Sequence, residues 1–184
     1  MPRLFVAIDL PARARAALSA LVDPALAARW VAPAQLHITV RFLGSVAAAE
    51  ATRLPATLAE VEAPPAFAVA LAGVGIFPAA RSRQPPAVLW AGIAGAAQVP
   101  LRALKTAVDA ALGPDPEGDG RGYTPHVTLA RFKHPPPGPA LTAFLTRHAD
   151  RGSPGFPVDA FCLYESRTLA DGPVYHALAR YPLG

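Results

Sequence analysis

The sequence predicts an α+β fold in which two duplicated lobes face each other across a central cleft. Two observations predict it. The order strand, helix, strand, helix, strand occurs twice along the 184 residues. The middle strand of each half opens with the same tetrapeptide pattern, His-apolar-Thr-apolar, as His37-Ile38-Thr39-Val40 and again as His126-Val127-Thr128-Leu129. The motif histidine precedes a later strand's phenylalanine by the same spacing in both halves, His37 to Phe67 and His126 to Phe156. A period this long does not build a solenoid. It fits one domain over residues 1–184, made of two related lobes that bring the motifs together.

The elements follow from local pattern. Residues 3–9 are mainly apolar and read as a strand. Residues 12–22 follow Pro11 and read as a helix, since proline suits a helix entry. Residues 35–43 alternate: Gln35, His37, Thr39 and Arg41 fall on one face, and Leu36, Ile38, Val40 and Phe42 on the other. Residues 47–62 form a helix closed by Pro64-Pro65. Residues 66–77 form a strand, and Pro78 to Pro86 a loop carrying Arg81 and Arg83. In the second half the strand is 87–93, the helix 96–112 ends at Gly113-Pro114, and a Gly/Asp-rich loop spans 113–122. The second motif strand is 126–132. A helix at 139–148 follows the proline run, and strands at 156–165 and 173–181 finish the chain.

Composition narrows the class. An apolar content of 52% supports a packed core. No stretch of about 18 strongly apolar residues suggests a membrane span, and the start lacks the apolar core of a signal peptide. The lone Cys162 lies in an apolar run and excludes an intrachain disulfide or a multi-cysteine zinc site. These features point to a cytoplasmic protein. A formal charge of +4 and a pI near 9.7 suit contact with a few phosphates better than coating of a duplex.

Side chains two apart on a strand share a face, so each motif presents an imidazole and a hydroxyl together. Two imidazoles can divide acid and base work near neutral pH. Threonine is too weak an acid for that, but its hydroxyl can donate to a non-bridging phosphate oxygen as charge develops. A cyclic phosphodiester needs this set: one neutral ring to activate water, one protonated ring to release the alkoxide. Two histidines without neighbouring carboxylates make a poor hydrolytic metal site, so no metal is expected. Arg41 and Arg131 follow the motifs and are candidates for phosphate contact. Arg41 shares the parity of His37. Arg131 does not share that of His126 and reaches the cleft only if its strand bends. Phe42 and Tyr123 are candidates to stack on a base. His134, His148 and His176 lack the threonine at plus two and read as structural or surface residues.

The paired motifs resemble the signatures of the two-histidine (2H) phosphoesterases. Their flanks, with Arg3-Leu-Phe-Val-Ala-Ile-Asp-Leu-Pro, Gln35-Leu-His-Ile-Thr-Val-Arg-Phe-Leu-Gly and Thr124-Pro-His-Val-Thr-Leu-Ala-Arg-Phe, are similar to those of the RNA 2',3'-cyclic phosphodiesterases, also called 2'-5' RNA ligases. The resemblance implies a bilobal fold with two antiparallel sheets flanked by helices around the cleft. It also implies hydrolysis of RNA 2',3'-cyclic phosphate ends, or of small cyclic nucleotides, to 2'-phosphates without metal or cofactor, by a monomer. By that analogy His37 is the proton donor and His126 the proton acceptor, a division the symmetry of the motifs cannot make. Two other readings use the same residues. One is 2'-5' ligation without ATP, since no Gly-x-x-x-x-Gly-Lys-Ser/Thr loop exists. The other is a non-catalytic module that binds RNA ends.

Overall fold

In the computed structural model, ten strands and four α-helices alternate along the residues it describes, 1–79, 82, 84–114, 122–169 and 172–184. Arg81, Arg83 and residues 115–121 of the second loop lie outside that set. The first half contains β1 (Arg3–Asp9), α1 (Ala12–Ser19), β2 (Arg29–Trp30), β3 (His37–Ser45), α2 (Ala48–Ala59), β4 (Phe67–Val69) and β5 (Leu71–Phe77). The second contains β6 (Val88–Ile93), α3 (Gly95–Leu112), β7 (His126–Arg131), α4 (Gly138–Arg147), β8 (Phe156–Val158), β9 (Ala160–Leu169) and β10 (Gly172–Pro182). The two-residue β2 carries no periodic signal and is missing from the sequence reading.

The main sheet is antiparallel throughout and runs β10-β9-β1-β3-β7-β6-β5, with β2 added to β7; β4 and β8 pair separately. The expected two sheets are thus joined at one seam, where β3 meets β7 through Ile38 opposite Val127. These residues occupy the same motif position, 89 residues apart, like His37 and His126. The small sheet obeys the same offset, with Ala68 opposite Pro157 at its centre. Both pairings therefore lie on a pseudo-two-fold axis that exchanges β1 with β6, β3 with β7 and β9 with β5.

The swap explains why the sequence read 66–77 and 156–165 as unbroken strands. Each breaks at one residue, Ala70 or Asp159, where the chain leaves the β4–β8 ribbon for the main sheet. Beyond the break, β5 pairs with β6 of the second half and β9 with β1 of the first. Each half thus completes the other's sheet.

The helices cover one face. Leu4, Val6 and Ile8 of β1 and Leu129 of β7 share a core with Leu18 of α1, Leu58 of α2, Leu101, Leu104 and Val108 of α3, and Phe144 of α4. Burying such side chains contributes about 1.5–3 kcal/mol each. The opposite face carries a smaller cluster, Phe5, Ala7, Cys162 and Tyr164 with Tyr175. Cys162 is a buried thiol in this second layer, and burial pushes it up from its ordinary value.

Trp90 of β6 lies opposite Gly75 of β5, where a Cβ would overlap the indole Cζ2. The indole is held in this notch and cannot move freely. Gly75→Ala should therefore displace Trp90 and lower stability by about 1–3 kcal/mol, the usual cost of overpacking. Urea unfolding, with near-UV circular dichroism to follow the tryptophan, measures both effects.

Candidate functional site

His37 and His126 open adjacent strands at the seam. With Ile38 facing Val127, continuation of the antiparallel register sets His37 across from Thr128 and His126 across from Thr39. Directly opposed side chains have Cβ atoms about 4.5–5.5 Å apart. Each imidazole is thereby matched with the hydroxyl of the other motif.

The rings are held alike. His37 Nδ1 lies 2.7 Å from the Gln35 carbonyl oxygen, and His126 Nδ1 lies 2.8 Å from that of Thr124. A carbonyl only accepts, so both Nδ1 atoms carry hydrogen, and Nε2 is left for chemistry. Aromatic walls set the ring planes. Phe5 lies 5.0 Å from His37 and Tyr175 meets it edge-on at 5.4 Å; Phe77 meets His126 edge-on at 5.1 Å, with Trp90 at 6.2 Å.

A cavity of about 800 Å³ opens beside these strands and is lined by His37, Thr39 and Thr128 together with Arg131, Phe42 and Tyr175. His126 is not among its lining residues; it stands on the same strand face as Thr128. Burial depresses the pKa of both histidines below the ordinary value of 6.5. Their hydrogen bonds to carbonyls oppose this, and the Arg131 charge adds to it. Asp9 raises His37, while the charge of His126 lowers it further.

A bulge in each motif strand decides where the arginines go. Ala7 pairs with Thr39 but Val6 with Arg41, leaving one extra residue on β3; Trp90 pairs with Thr128 but Leu89 with Ala130, leaving one on β7. A bulge shifts the alternation of the strand beyond it. Arg131 and its counterpart Phe42 therefore return to the cavity face. Arg41 turns into the core, contrary to the parity reading. It is 3% exposed and donates to the carbonyls of Gly113 (2.8 Å) and Pro114 (2.9 Å) and to Asp109 (3.2 Å), tying β3 to the end of α3. Tyr123 is not in the cavity lining either: its hydroxyl donates to the Thr39 carbonyl at 2.9 Å, and its ring packs on the core. It supports the motif strand rather than offering a stacking face.

Sequence reasoning missed Arg3, Arg29, Ser166 and Thr168, which also line the cavity. Arg3 shares the face of Phe5 along β1, a parity signal open to reading. Arg29 lies opposite Arg131 on β2, and no pattern marks it. Among the described residues no group of three His, Cys, Asp or Glu side chains could hold a metal, and no helix is long and apolar enough to cross a membrane.

Comparison with known proteins bears on this geometry. A family model described as the 2'-5' RNA ligase superfamily matches residues 7–169. A Thermus thermophilus protein named RNA 2',3'-cyclic phosphodiesterase is 34% identical over 191 aligned positions, covering 98% of this chain and 90% of that protein. A crystal structure of a Thermus thermophilus protein superposes with a TM-score of 0.73 at 33% identity, covering 98% of this chain and 97% of the other. Escherichia coli LigT complexed with 3'-AMP superposes with a TM-score of 0.73 at 29% identity, covering 100% of this chain and 99% of the other.

Two expectations follow from the site. Because both folded histidine values are depressed, the unfolded chain takes up these protons first. The associated stability is greatest above the unfolded value of about 6.5 and is lost as pH falls from there through the folded values. Ring-proton NMR of the free protein should show both histidines titrating below 6.5, and His126→Gln should flatten the acid limb of the stability curve. Arg41→Met should lower stability by about 1–3 kcal/mol, because it leaves the Gly113 and Pro114 carbonyls without their donor, while inorganic phosphate still perturbs the His37 resonances in the folded fraction.

Proposed function

The chain belongs to the 2'-5' RNA ligase superfamily, and from that membership and its paired imidazoles we propose that it hydrolyses RNA 2',3'-cyclic phosphate ends to 2'-phosphate ends. The observation that carries this reading is the matched setting of the two rings, each with Nδ1 tied to a carbonyl two residues earlier and Nε2 left available. The names of the relatives point to the same substrate.

In the proposed reaction the terminal phosphate sits between the motifs of one bilobal unit. His126 Nε2 takes a proton from water as the water oxygen bonds to phosphorus. The bond from phosphorus to O3' breaks on the opposite side, and His37 Nε2–H gives its proton to the leaving oxygen. Thr39 and Thr128 donate to the non-bridging oxygens, and Arg131 offsets their charge. The cycle leaves His126 charged and His37 neutral, and exchange with solvent restores the starting state. Every proton is carried by a side chain of the chain itself, so the reaction is proposed to need neither metal nor nucleotide cofactor. Phe42, 52% exposed in the cavity lining, offers its ring to the terminal base.

The test is end-group analysis of a 2',3'-cyclic phosphate oligoribonucleotide treated with the protein in EDTA. The expected product ends in a 2'-phosphate; unchanged cyclic ends overturn the reading. His37→Ala and His126→Ala should each lose roughly 10²–10⁴-fold in rate. On a p-nitrophenyl phosphodiester, whose leaving group needs no proton, His37→Ala should recover most of its loss and His126→Ala should not. Equal defects on that substrate reject the division of roles. With both histidines depressed, the bell-shaped pH profile of kcat/KM should centre below about 6.5.

A further inference from the structure

Three guanidinium groups line the cavity, those of Arg3, Arg29 and Arg131, and among the described residues no Asp or Glu lines it with them. Among those residues, too, none of the three has an ion-pair or hydrogen-bond partner. Elsewhere the chain pairs such groups: Arg15 with Asp9, Arg167 with Glu165 and Arg180 with Asp159. A cavity that gathers unpaired positive charge is built for more than one negative group.

The three are not equivalent in place. Arg131 stands two residues beyond the bulge that follows Thr128, and Arg29 lies opposite it. Arg29 also reaches β10, since a Cβ on Gly172 would fall 2.7 Å from its Nη2. Arg3 enters the cavity from β1, at the end of that strand away from Asp9. The Phe5 ring packs on His37 with centroids 5.0 Å apart, and Arg3 lies two residues further along β1 on the same face, about 7 Å of extended backbone. The Phe5 ring thus stands between Arg3 and the imidazole, so Arg3 faces the part of the cavity next to the histidines rather than the histidines themselves. Around Arg3 the same face carries hydroxyls: Ser166 opposes it on β9, and Thr168 follows two residues later. Between the histidines and Arg3 lies Phe42, packed on Phe5 with ring centroids 6.3 Å apart.

We propose that Arg3, with Ser166 and Thr168, forms a second phosphate subsite, which takes an internal phosphodiester of the RNA upstream of its terminal cyclic phosphate. This rests on the function proposed above and specifies its substrate as an oligonucleotide end, held at two phosphates with Phe42 between them, rather than a cyclic mononucleotide. A guanidinium with two hydroxyls suits a phosphodiester, whose non-bridging oxygens accept several hydrogen bonds. It reads no base, so the subsite favours length and not sequence.

The experiment compares kcat/KM for a 2',3'-cyclic mononucleotide with oligoribonucleotides of increasing length that end in the same cyclic nucleotide. The wild-type protein should gain roughly tenfold or more with length, the scale of one charge-assisted contact. Arg3→Gln should remove most of that gain, Arg3→Lys should keep part of it, and Ser166→Ala should reduce it. Salt should weaken the oligonucleotide reaction more steeply in wild type than in Arg3→Gln, by about 0.7 in the log–log slope for one single-strand phosphate contact. If cyclic mononucleotide is hydrolysed but length brings no gain, or if Arg3→Gln lowers both substrates equally, the subsite is overturned while the function stands. If no substrate of any length is hydrolysed, the function itself fails.

Discussion

One backbone pairing governs the molecule. Ile38 faces Val127 at the seam where the two halves of the main sheet meet, and neighbouring positions on both strands carry the paired histidines and threonines. A slip of one residue there would turn every motif side chain to the other face, sending the imidazoles into the helix-packed core. The fold guards that register from both sides. Ile38 and Val127 are fully buried. The exchanged strands β5 and β9 each complete the other half's sheet, so the halves cannot slide without breaking two further pairings. The β4–β8 ribbon closes the same axis a second time.

The bulges turn this symmetric frame into an asymmetric site. They fall at equivalent places, so positions 41 and 130 point inward and positions 42 and 131 outward. The residues there differ. On β7 the outward residue is Arg131 and the inward one a fully buried Ala130; on β3 the outward residue is Phe42 and the inward one Arg41. One motif thus gains a cation beside its histidine and the other an aromatic face. Arg41 instead anchors the end of α3, where a positive charge meets carbonyls that lack helical partners. Two like strands therefore present a cation and an aromatic ring on one shared surface.

Much of this was legible in the sequence. The doubled order of elements and the equal His-to-Phe spacing reported the duplication, because an internal repeat preserves element order after side chains have drifted. The motif face was legible because strict alternation holds from His37 to Thr39. It failed just beyond. A bulge inserts a residue without any change in composition, so parity placed Arg41 in the cleft and left Arg131 to an unspecified bend. The breaks at Ala70 and Asp159 were hidden for a similar reason: a strand that changes sheets stays extended and apolar on both sides of the change. Tyr123 looked like a stacking residue because its hydroxyl bond to the Thr39 carbonyl is a tertiary contact.

The protonation of the site depends on the company the histidines keep. In the free protein burial, the Arg131 cation and, for His37, the charge of its partner all oppose a charged ring. The hydrogen bonds to the Gln35 and Thr124 carbonyls favour it, but they do so for both rings alike. The charge of His126 acts on His37 alone, and so, in the opposite sense, does Asp9, which faces His37 across β1 and β3 and favours its charged form; the equivalent place opposite His126 is held by Gly92. Asp9 is itself shared with Arg15 at 3.2 Å, which weakens its pull. A site so arranged does not by itself hold a proton firmly on either ring. In the function proposed above a phosphodiester brought between the rings opposes these effects, because its charge offsets Arg131 and favours an imidazolium beside it. A proton is there taken up with the substrate, and Asp9 favours the charged form of His37 alone. Two like motifs thus differ in their electrostatic setting, because a neighbouring strand supplies a carboxylate to one and a hydrogen atom to the other.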